Sequence, residues 1–383
     1  MDRVKIGLVG SGFAAALHME AYKQVYGIEP WVAAVASPSE RAGDFAREYG
    51  IPSVYRCMEE MIRKERPDVV DICSPPSLHA PMIGSAMGAG CHVICEKPLT
   101  GWFGDSAEPD MAKKVMEQLE QLRRVVERSG RKFFYAENFI YAPAVQKSAS
   151  LIRTAGEHIL FMRGEESHSG SHAGHAALWS MNGGGSLIRQ GCHPLSALLY
   201  LKQLENGKGA KAVDVMADMG YIVPTLNEEE RKNIQARPKD VEDLANVILT
   251  FEDGTKALIT AGDMILGGVR NEIQVYTTGG VYQCRIAPSD QMTTYHVDDE
   301  KLSGQYFTEK VETKKGWQSI FLCEDMARGY VGELRDFLLC AAGRKGEPES
   351  GFSLAYDTVR IIYGAYCSAR EGRRIEFSDT LWA

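Results

Sequence analysis

The chain has no long hydrophobic run. Of its 383 residues 44% are hydrophobic, yet no stretch reaches the 18 or so apolar residues that a membrane-spanning helix needs. An excess of basic charge is also missing, since the formal net charge is −8. The basic pairs Lys113-Lys114, Arg123-Arg124, Lys314-Lys315 and Arg373-Arg374 are scattered among acids. Phosphate backbones require clustered cations, so neither a nucleic acid nor a membrane is expected as a partner. Cysteines in zinc or redox spacing are absent too. The nine present are odd in number and lie mostly in apolar segments such as Asp71-Ile72-Cys73, which predicts reduced structural thiols and a cytoplasmic protein. Arg3 and Lys5, with the apolar run to Ala14-Ala15-Ala16, loosely imitate an export signal, but Gly7, Gly10 and Gly12 interrupt it. Internal repeats and low-complexity tracts are lacking as well.

What is present is a change of pattern along a chain long enough for two domains. Up to about residue 135, short apolar strands alternate with helical segments, as in a parallel sheet of βαβ units. Strands are predicted at 4–9, 31–36, 69–73, 92–95 and 132–135. Helical periodicity runs over 41–49, 58–64, 81–89 and 111–129. From about residue 158, strands follow one another: 158–163, 213–222, 245–251, 256–261 and 271–277. Asp253-Gly254 marks a hairpin between two of them. The charged stretch 225–240 reads as an exposed excursion, and 324–345 and 352–371 as closing helices.

Two motifs carry chemistry. Gly10-Ser11-Gly12-Phe13-Ala14-Ala15 follows the first strand and opens a helix. Gly10 permits the tight turn, Gly12 lets a pyrophosphate approach the backbone, and Ala15 takes the third small position. The second strand ends in Ser37-Pro38-Ser39-Glu40-Arg41. It lacks the acid that would grip the ribose hydroxyls of NAD, so Ser37, Ser39 or Arg41 could hold a 2′-phosphate; the cofactor is NAD or NADP, with NAD preferred. The other motif is Cys95-Glu96-Lys97-Pro98, which closes a buried strand. An amine at the carboxyl edge of an open α/β sheet lies where such sheets bind ligands.

These pieces resemble the Gfo/Idh/MocA oxidoreductase family, named for glucose–fructose oxidoreductase and inositol dehydrogenase. The matching residues run in order through nearly the whole chain: the glycine turn, Ser74-Pro75-Pro76-Ser77-Leu78-His79, Ala89 to Pro98, Gly183-Gly184-Gly185, Gly191-Cys192-His193, and Val241-Glu242-Asp243 ahead of the Phe251-Glu252-Asp253-Gly254 hairpin. The resemblance implies an α/β fold: a Rossmann domain over 1–136, then an α/β domain over 137–383 with a large open, mostly antiparallel sheet. That sheet would join a homodimer or homotetramer. The resemblance also implies that Lys97 contacts the reacting hydroxyl and that His193 does acid–base work. Gly10, Gly12, Phe13, Ala14, Ser37, Arg41, Ser74, Pro75, His79, Glu96 and Lys97 would line the cofactor. Asn138 and Tyr141, at the crossover after the last Rossmann strand, would face the cleft.

One position departs from the family. The Asp expected four residues before the histidine is Arg189 here. A guanidinium beside His193 would favour neutral imidazole; alternatively Arg189 binds a substrate anion or pairs with a surface acid. The loop Glu165 to His175 holds three histidines and resembles a His-Ser-Gly-Pro-His segment of some members. His168, His172 and Trp179 would hydrogen-bond and stack on a sugar ring. No metal is expected; the alternative is a divalent ion held by His168, His172 and Glu165 or Glu166. Leu99 to Asp105 reads as an inserted loop able to cover the nicotinamide end. The activity implied is hydride transfer between the nicotinamide and a secondary hydroxyl of a sugar or glycoside, giving a keto-sugar, with C3 as the position to test. Two alternatives stay open: a glycoside-cleaving enzyme that retains its NAD, and a sugar-binding protein whose chemistry has lapsed.

Overall fold

A computed structural model describes residues 2–171, 173–205, 211–287, 292–300, 304–320 and 323–378. Six strands form the first sheet: β1 (Arg3–Val9), β2 (Glu29–Ala36), β3 (Ser53–Tyr55), β4 (Val69–Ile72), β5 (His92–Glu96) and β6 (Phe133–Ala136). All pair in parallel, in the order β3-β2-β1-β4-β5-β6. This is the doubly wound Rossmann arrangement, with a switch point between β1 and β4 where the strand order reverses. Its strands are hydrophobic on both faces because helices cover both. The helix Met111–Ser129 shows how: Met111, Ala112, Val115, Met116, Leu119 and Leu122 recur at helical spacing and are its buried residues.

The second sheet contains β7 (Ile159–Ser167), β8 (Ala212–Gly220), β9 (Leu244–Phe251), β10 (Lys256–Gly262), β11 (Arg270–Thr277), β12 (Val281–Ala287) and β15 (Ile375–Glu376). Its order is β12-β11-β7-β10-β9-β8-β15. Only β7 and β10 pair in parallel; the other neighbours are antiparallel. The remaining strands, β13 (Met292–His296) and β14 (Gly316–Ile320), form a separate two-stranded sheet. The alternating burial of β11 marks a sheet with one covered face. Helices Cys192–Gln203 and Phe352–Glu371 pack on that face.

The closing helices also reach the first sheet. Phe134 of β6 stacks on Phe337 of the helix Tyr330–Ala341, with centroids 5.1 Å apart, and Phe133 meets Phe352 edge-on at 5.5 Å. Such pairs contribute about 1 kcal/mol each beyond area burial. Ser350 accepts the Tyr135 N–H through its carbonyl. One continuous core therefore runs through both halves.

One expectation needs correction. The stretch 225–240 is not wholly an exposed excursion. Its end docks on the histidine loop: Gln235 and Ala236 donate their N–H groups to the Ser169 carbonyl, and Lys239 donates to Ala177. Gly170, at φ +98°, allows this approach because a Cβ there would strike the Ala236 backbone. The Trp102 loop, expected to cover the nicotinamide end, is anchored in the second half. The Trp102 N–H donates to Tyr363 Oη at 2.5 Å, and that hydroxyl donates to the Gly183 carbonyl at 2.8 Å.

Candidate active site

The carboxyl ends of β1, β2, β4, β5 and β6 converge on the switch point. At β1, Gly10 adopts φ +106°, and an added Cβ would lie 2.5 Å from the Cys73 carbonyl oxygen. Any side chain would force β1 and β4 apart. Gly12 is exposed and nothing stands within 4 Å of where its Cβ would be, so the start of the helix Phe13–Tyr22 is open to a ligand. Its unpaired N–H groups and dipole suit a pyrophosphate. Phe13 lies 72% exposed, whereas Ala15 is fully buried in the helix–sheet contact. Ser37 at the end of β2 is buried, its hydroxyl 3.0 Å from that of Ser11 in the glycine turn. Arg41 is exposed beyond it, and Arg56, unnoticed in the sequence, reaches the same loop by donating to the Pro38 carbonyl. At the end of β4, Ser74 offers a buried hydroxyl without a partner among the described residues, beside the exposed Pro75. An open cradle, a helix start and an orphaned hydroxyl at the switch point fit a nicotinamide dinucleotide. His79 is the exception. Fully buried between the Ser74 and Pro98 carbonyls at 2.9 and 2.8 Å, it braces the two turns from behind instead of lining the cleft.

Beneath Lys97 lies a charge network absent from the sequence reading. Asp71 occupies the middle of buried β4 and accepts hydrogen bonds from Tyr22 (2.9 Å) and His18 (2.8 Å). The other nitrogen of His18 is 3.2 Å from Glu96. Burial opposes the charge on His18, but the Asp71 and Cys73 neighbours outweigh it and lift its pKa well above the usual value. Glu96 is held below the ordinary carboxyl range: burial opposes this, and His18 and Lys97 prevail. The second Glu96 oxygen accepts the Lys97 N–H at 3.0 Å, fixing the backbone from which the lysine projects.

Lys97 Nζ donates to the Arg189 carbonyl at 2.6 Å. That carbonyl belongs to a π-helical turn, Leu187–Gly191, which leads into the helix Cys192–Gln203. Such turns frequently mark functional sites. Burial disfavours the Lys97 ammonium, yet Cys192 and the carboxylates of Glu96, Glu166 and Glu137 together raise its pKa. It stays charged at neutral pH.

His193 lies one residue into the same helix. Its Nδ1 is 2.6 Å from Glu137 Oε1, and its ring stacks on Phe139 with centroids 4.8 Å apart. Glu137 follows β6 directly and is fully buried. A carboxylate accepts, so Nδ1 carries the proton and Nε2 is left as an acceptor. The carboxylate beside this histidine thus comes from the residue after β6 and not from position 189. Arg189 turns away: its guanidinium grips Asp263 at 2.9 and 3.1 Å and donates to the Ala176 carbonyl. It is not left waiting for a substrate anion, and its partner is a buried acid, not a surface one.

Other expected substrate residues are committed elsewhere. The Asn138 amide donates to the Arg328 carbonyl, and the Tyr141 hydroxyl donates to Asp336 at 2.8 Å; both side chains are buried against the closing helices and do not face the cleft. Trp179 is 3% exposed, its indole N–H donating to the Trp102 carbonyl and its ring against Tyr366, so it cannot stack on a sugar. His168 accepts the Gly170 N–H on Nδ1, and burial pulls its pKa down to about 4, which leaves neutral imidazole with an Nε2 proton to donate. Among the described residues, the donor groups close enough to share an ion do not include His168. His172 lies outside the described residues.

Glu137 is the residue that sequence reasoning missed. The signal was its place immediately after a strand adjacent to the one ending at Lys97. Glu166, at the end of β7, was expected only as an alternative metal ligand. Burial raises its pKa against the pull of His193, Lys97 and Arg328.

Comparison with known proteins gives the family and the fold. Residues 4–128 match the model of an oxidoreductase family with an NAD-binding Rossmann fold, and residues 158–283 match the GFO/IDH/MocA C-terminal domain. D-apiose dehydrogenase of Paraburkholderia graminis is 23% identical over 386 residues, covering 99% of this chain and 91% of the relative. D-glucoside 3-dehydrogenase of Escherichia coli is 31% identical over 124 residues, covering 32% of this chain and 33% of that protein. The crystal structure of GenD2 from gentamicin A biosynthesis, in complex with NAD, superposes with a TM-score of 0.80 at 22% identity, covering 99% and 97% of the two chains. With both family models matched in order and the fold shared, the chain belongs to the Gfo/Idh/MocA family of NAD-binding oxidoreductases.

Proposed function

We propose that the protein oxidises a secondary hydroxyl of a sugar or glycoside, or reduces the corresponding keto-sugar. The observation that carries this is that one short segment engages both groups beside the dinucleotide cradle: the Arg189 carbonyl takes the charged Lys97, and four residues on His193 is braced by Glu137. Lys97 donates a hydrogen bond to the reacting hydroxyl and stabilises negative charge developing on its oxygen. His193 Nε2 accepts the hydroxyl proton, and the Glu137 carboxylate stabilises the imidazolium that results. A bound nicotinamide dinucleotide supplies the hydride acceptor. The dehydrogenase names of the relatives support the substrate class, and the D-glucoside 3-dehydrogenase makes C3 the first position to assay. The test is a panel of free sugars and glycosides, followed by absorbance of reduced cofactor. A protein that binds cofactor yet turns over no carbohydrate overturns the proposal.

Both cofactors are accommodated in this reading, because β2 ends in Ser37 with no carboxylate and two guanidiniums, Arg41 and Arg56, flank its loop. Ser37→Asp is expected to reduce kcat/KM for NADP about 10-fold or more, by placing a like charge against a 2′-phosphate, while NAD is retained. Equal losses with both cofactors would refute this placement.

The open face of the second sheet is the proposed interface with a second copy. Met216, Ile248 and Leu258 form a row across β8, β9 and β10, and the first two are 44% and 41% exposed. Ile248→Arg is expected to lower the mass measured by light scattering to that of one chain. A native protein already monomeric at micromolar concentration removes the interface. The nine cysteines are all free, which supports a reducing, cytoplasmic setting.

A further inference from the structure

Two neighbouring side chains at the catalytic chamber share an anomaly. Glu166 Oε2 and Asn271 Oδ1 are buried and have no hydrogen-bond partner among the described residues. Buried polar atoms are nearly always paired, and an orphaned carboxylate oxygen is costly. Glu166 and Asn271 are direct partners across the antiparallel pair β7–β11, so their side chains leave the same face of the sheet. It is the face of Gly164, whose missing Cβ would meet Pro194 at 2.7 Å, and hence the face beneath the helix that begins at Cys192. Glu166 lies close enough to His193, Lys97 and Glu137 to feel their charges.

We propose that Glu166, seconded by Asn271, reads a second hydroxyl of the substrate, on the carbon next to the one that reacts. The inference rests on the sugar-oxidising reading above and narrows it: the substrate is an uncharged vicinal diol. A carboxylate oxygen and an amide oxygen only accept, so what satisfies them is a donor, and a hydroxyl beside the reacting one presents its single proton on that side, shared between the two acceptors. An anionic sugar carrying its acid there is excluded, because its carboxylate would face those of Glu166 and Glu137. A neutral analogue without the second hydroxyl leaves the orphaned acceptors unpaired, the situation in which sites discriminate strongly.

The test uses the intact, cofactor-loaded protein, its best sugar, and the analogue deoxygenated next to the reacting carbon. For the native protein, removing that hydroxyl is expected to lower kcat/KM on the order of 10²-fold. Glu166→Ala should lower kcat/KM for the parent sugar similarly but treat parent and deoxy analogue within about 3-fold of each other. Glu166→Gln retains an accepting oxygen and should recover part of the discrimination, and it serves as the folded control if the alanine variant melts early. Undiminished discrimination in both variants, with turnover intact, overturns this inference and leaves the dehydrogenase reading standing. If the native protein neither turns over nor binds any polyol, read by fluorescence of bound reduced cofactor, both fall together.

Discussion

Lys97→Met is expected to lower kcat/KM for the sugar by about 10³-fold while dinucleotide affinity changes little. The ammonium is the only cation placed by β5 at the reacting edge, and removing a preorganised donor from developing oxyanion charge costs on this scale. Its orientation is set from two sides, by the Glu96 carboxylate on the backbone N–H and by the Arg189 carbonyl on Nζ. Lys97→Arg should not restore activity, because a planar fork cannot replace a compact point charge at the same carbonyl. Steady-state kinetics with a thermal melt decide it. A Lys97→Met protein that melts normally and retains a tenth of the native rate would remove the lysine from the mechanism. The raised pKa also gives a direction with pH: Lys97 stays charged across the neutral range, so its deprotonation does not limit activity there.

Glu137→Gln is expected to reduce kcat by about 10²-fold, with a smaller change in KM. The amide is nearly isosteric and can still accept from Nδ1, so His193 remains in place. What is lost is the negative charge that stabilises the imidazolium after proton transfer. Glu137→Asp keeps the charge on a shorter arm and should regain part of the rate, a recovery that a merely structural role would not show. If Gln and native enzymes have the same kcat, the 2.6 Å contact is packing and another group carries the acid–base step.

The dinucleotide half was legible because local rules govern it. The turn Gly10-Ser11-Gly12 and the near-continuous apolar strands announce a parallel sheet, and the observed strands begin and end within two residues of those expected there, apart from the three-residue β3. In the second half five strands were foreseen, while β12 to β15 were not. β15 has two residues and pairs only through β8, so no periodicity could reveal it. The 324–345 helix divides into Glu324–Ala327 and Tyr330–Ala341, and 352–371 holds as one helix.

The site was harder to read for a definite reason. Sequence position says which edge of a sheet a residue occupies, and that sufficed to put Lys97 at the edge that carries the glycine turn. It says nothing of which long side chain crosses to which partner. Arg189 and His193 are four residues apart, a spacing that puts them on one face of an α-helix, but the π-helical turn between them sends the guanidinium to Asp263. His193 then takes its carboxylate from Glu137, 56 residues away. Tyr141 and Trp179 have the chemistry of sugar contacts, yet buried hydroxyls and indoles must find partners, and theirs lie in the core. The sequence by itself determined the family, the Rossmann cradle and the lysine, since each is encoded in contiguous residues. Tertiary structure alone decided which acid meets the histidine and which buried acceptors, those of Glu166 and Asn271, share one face of the second sheet, because those contacts join strands and helices far apart along the chain.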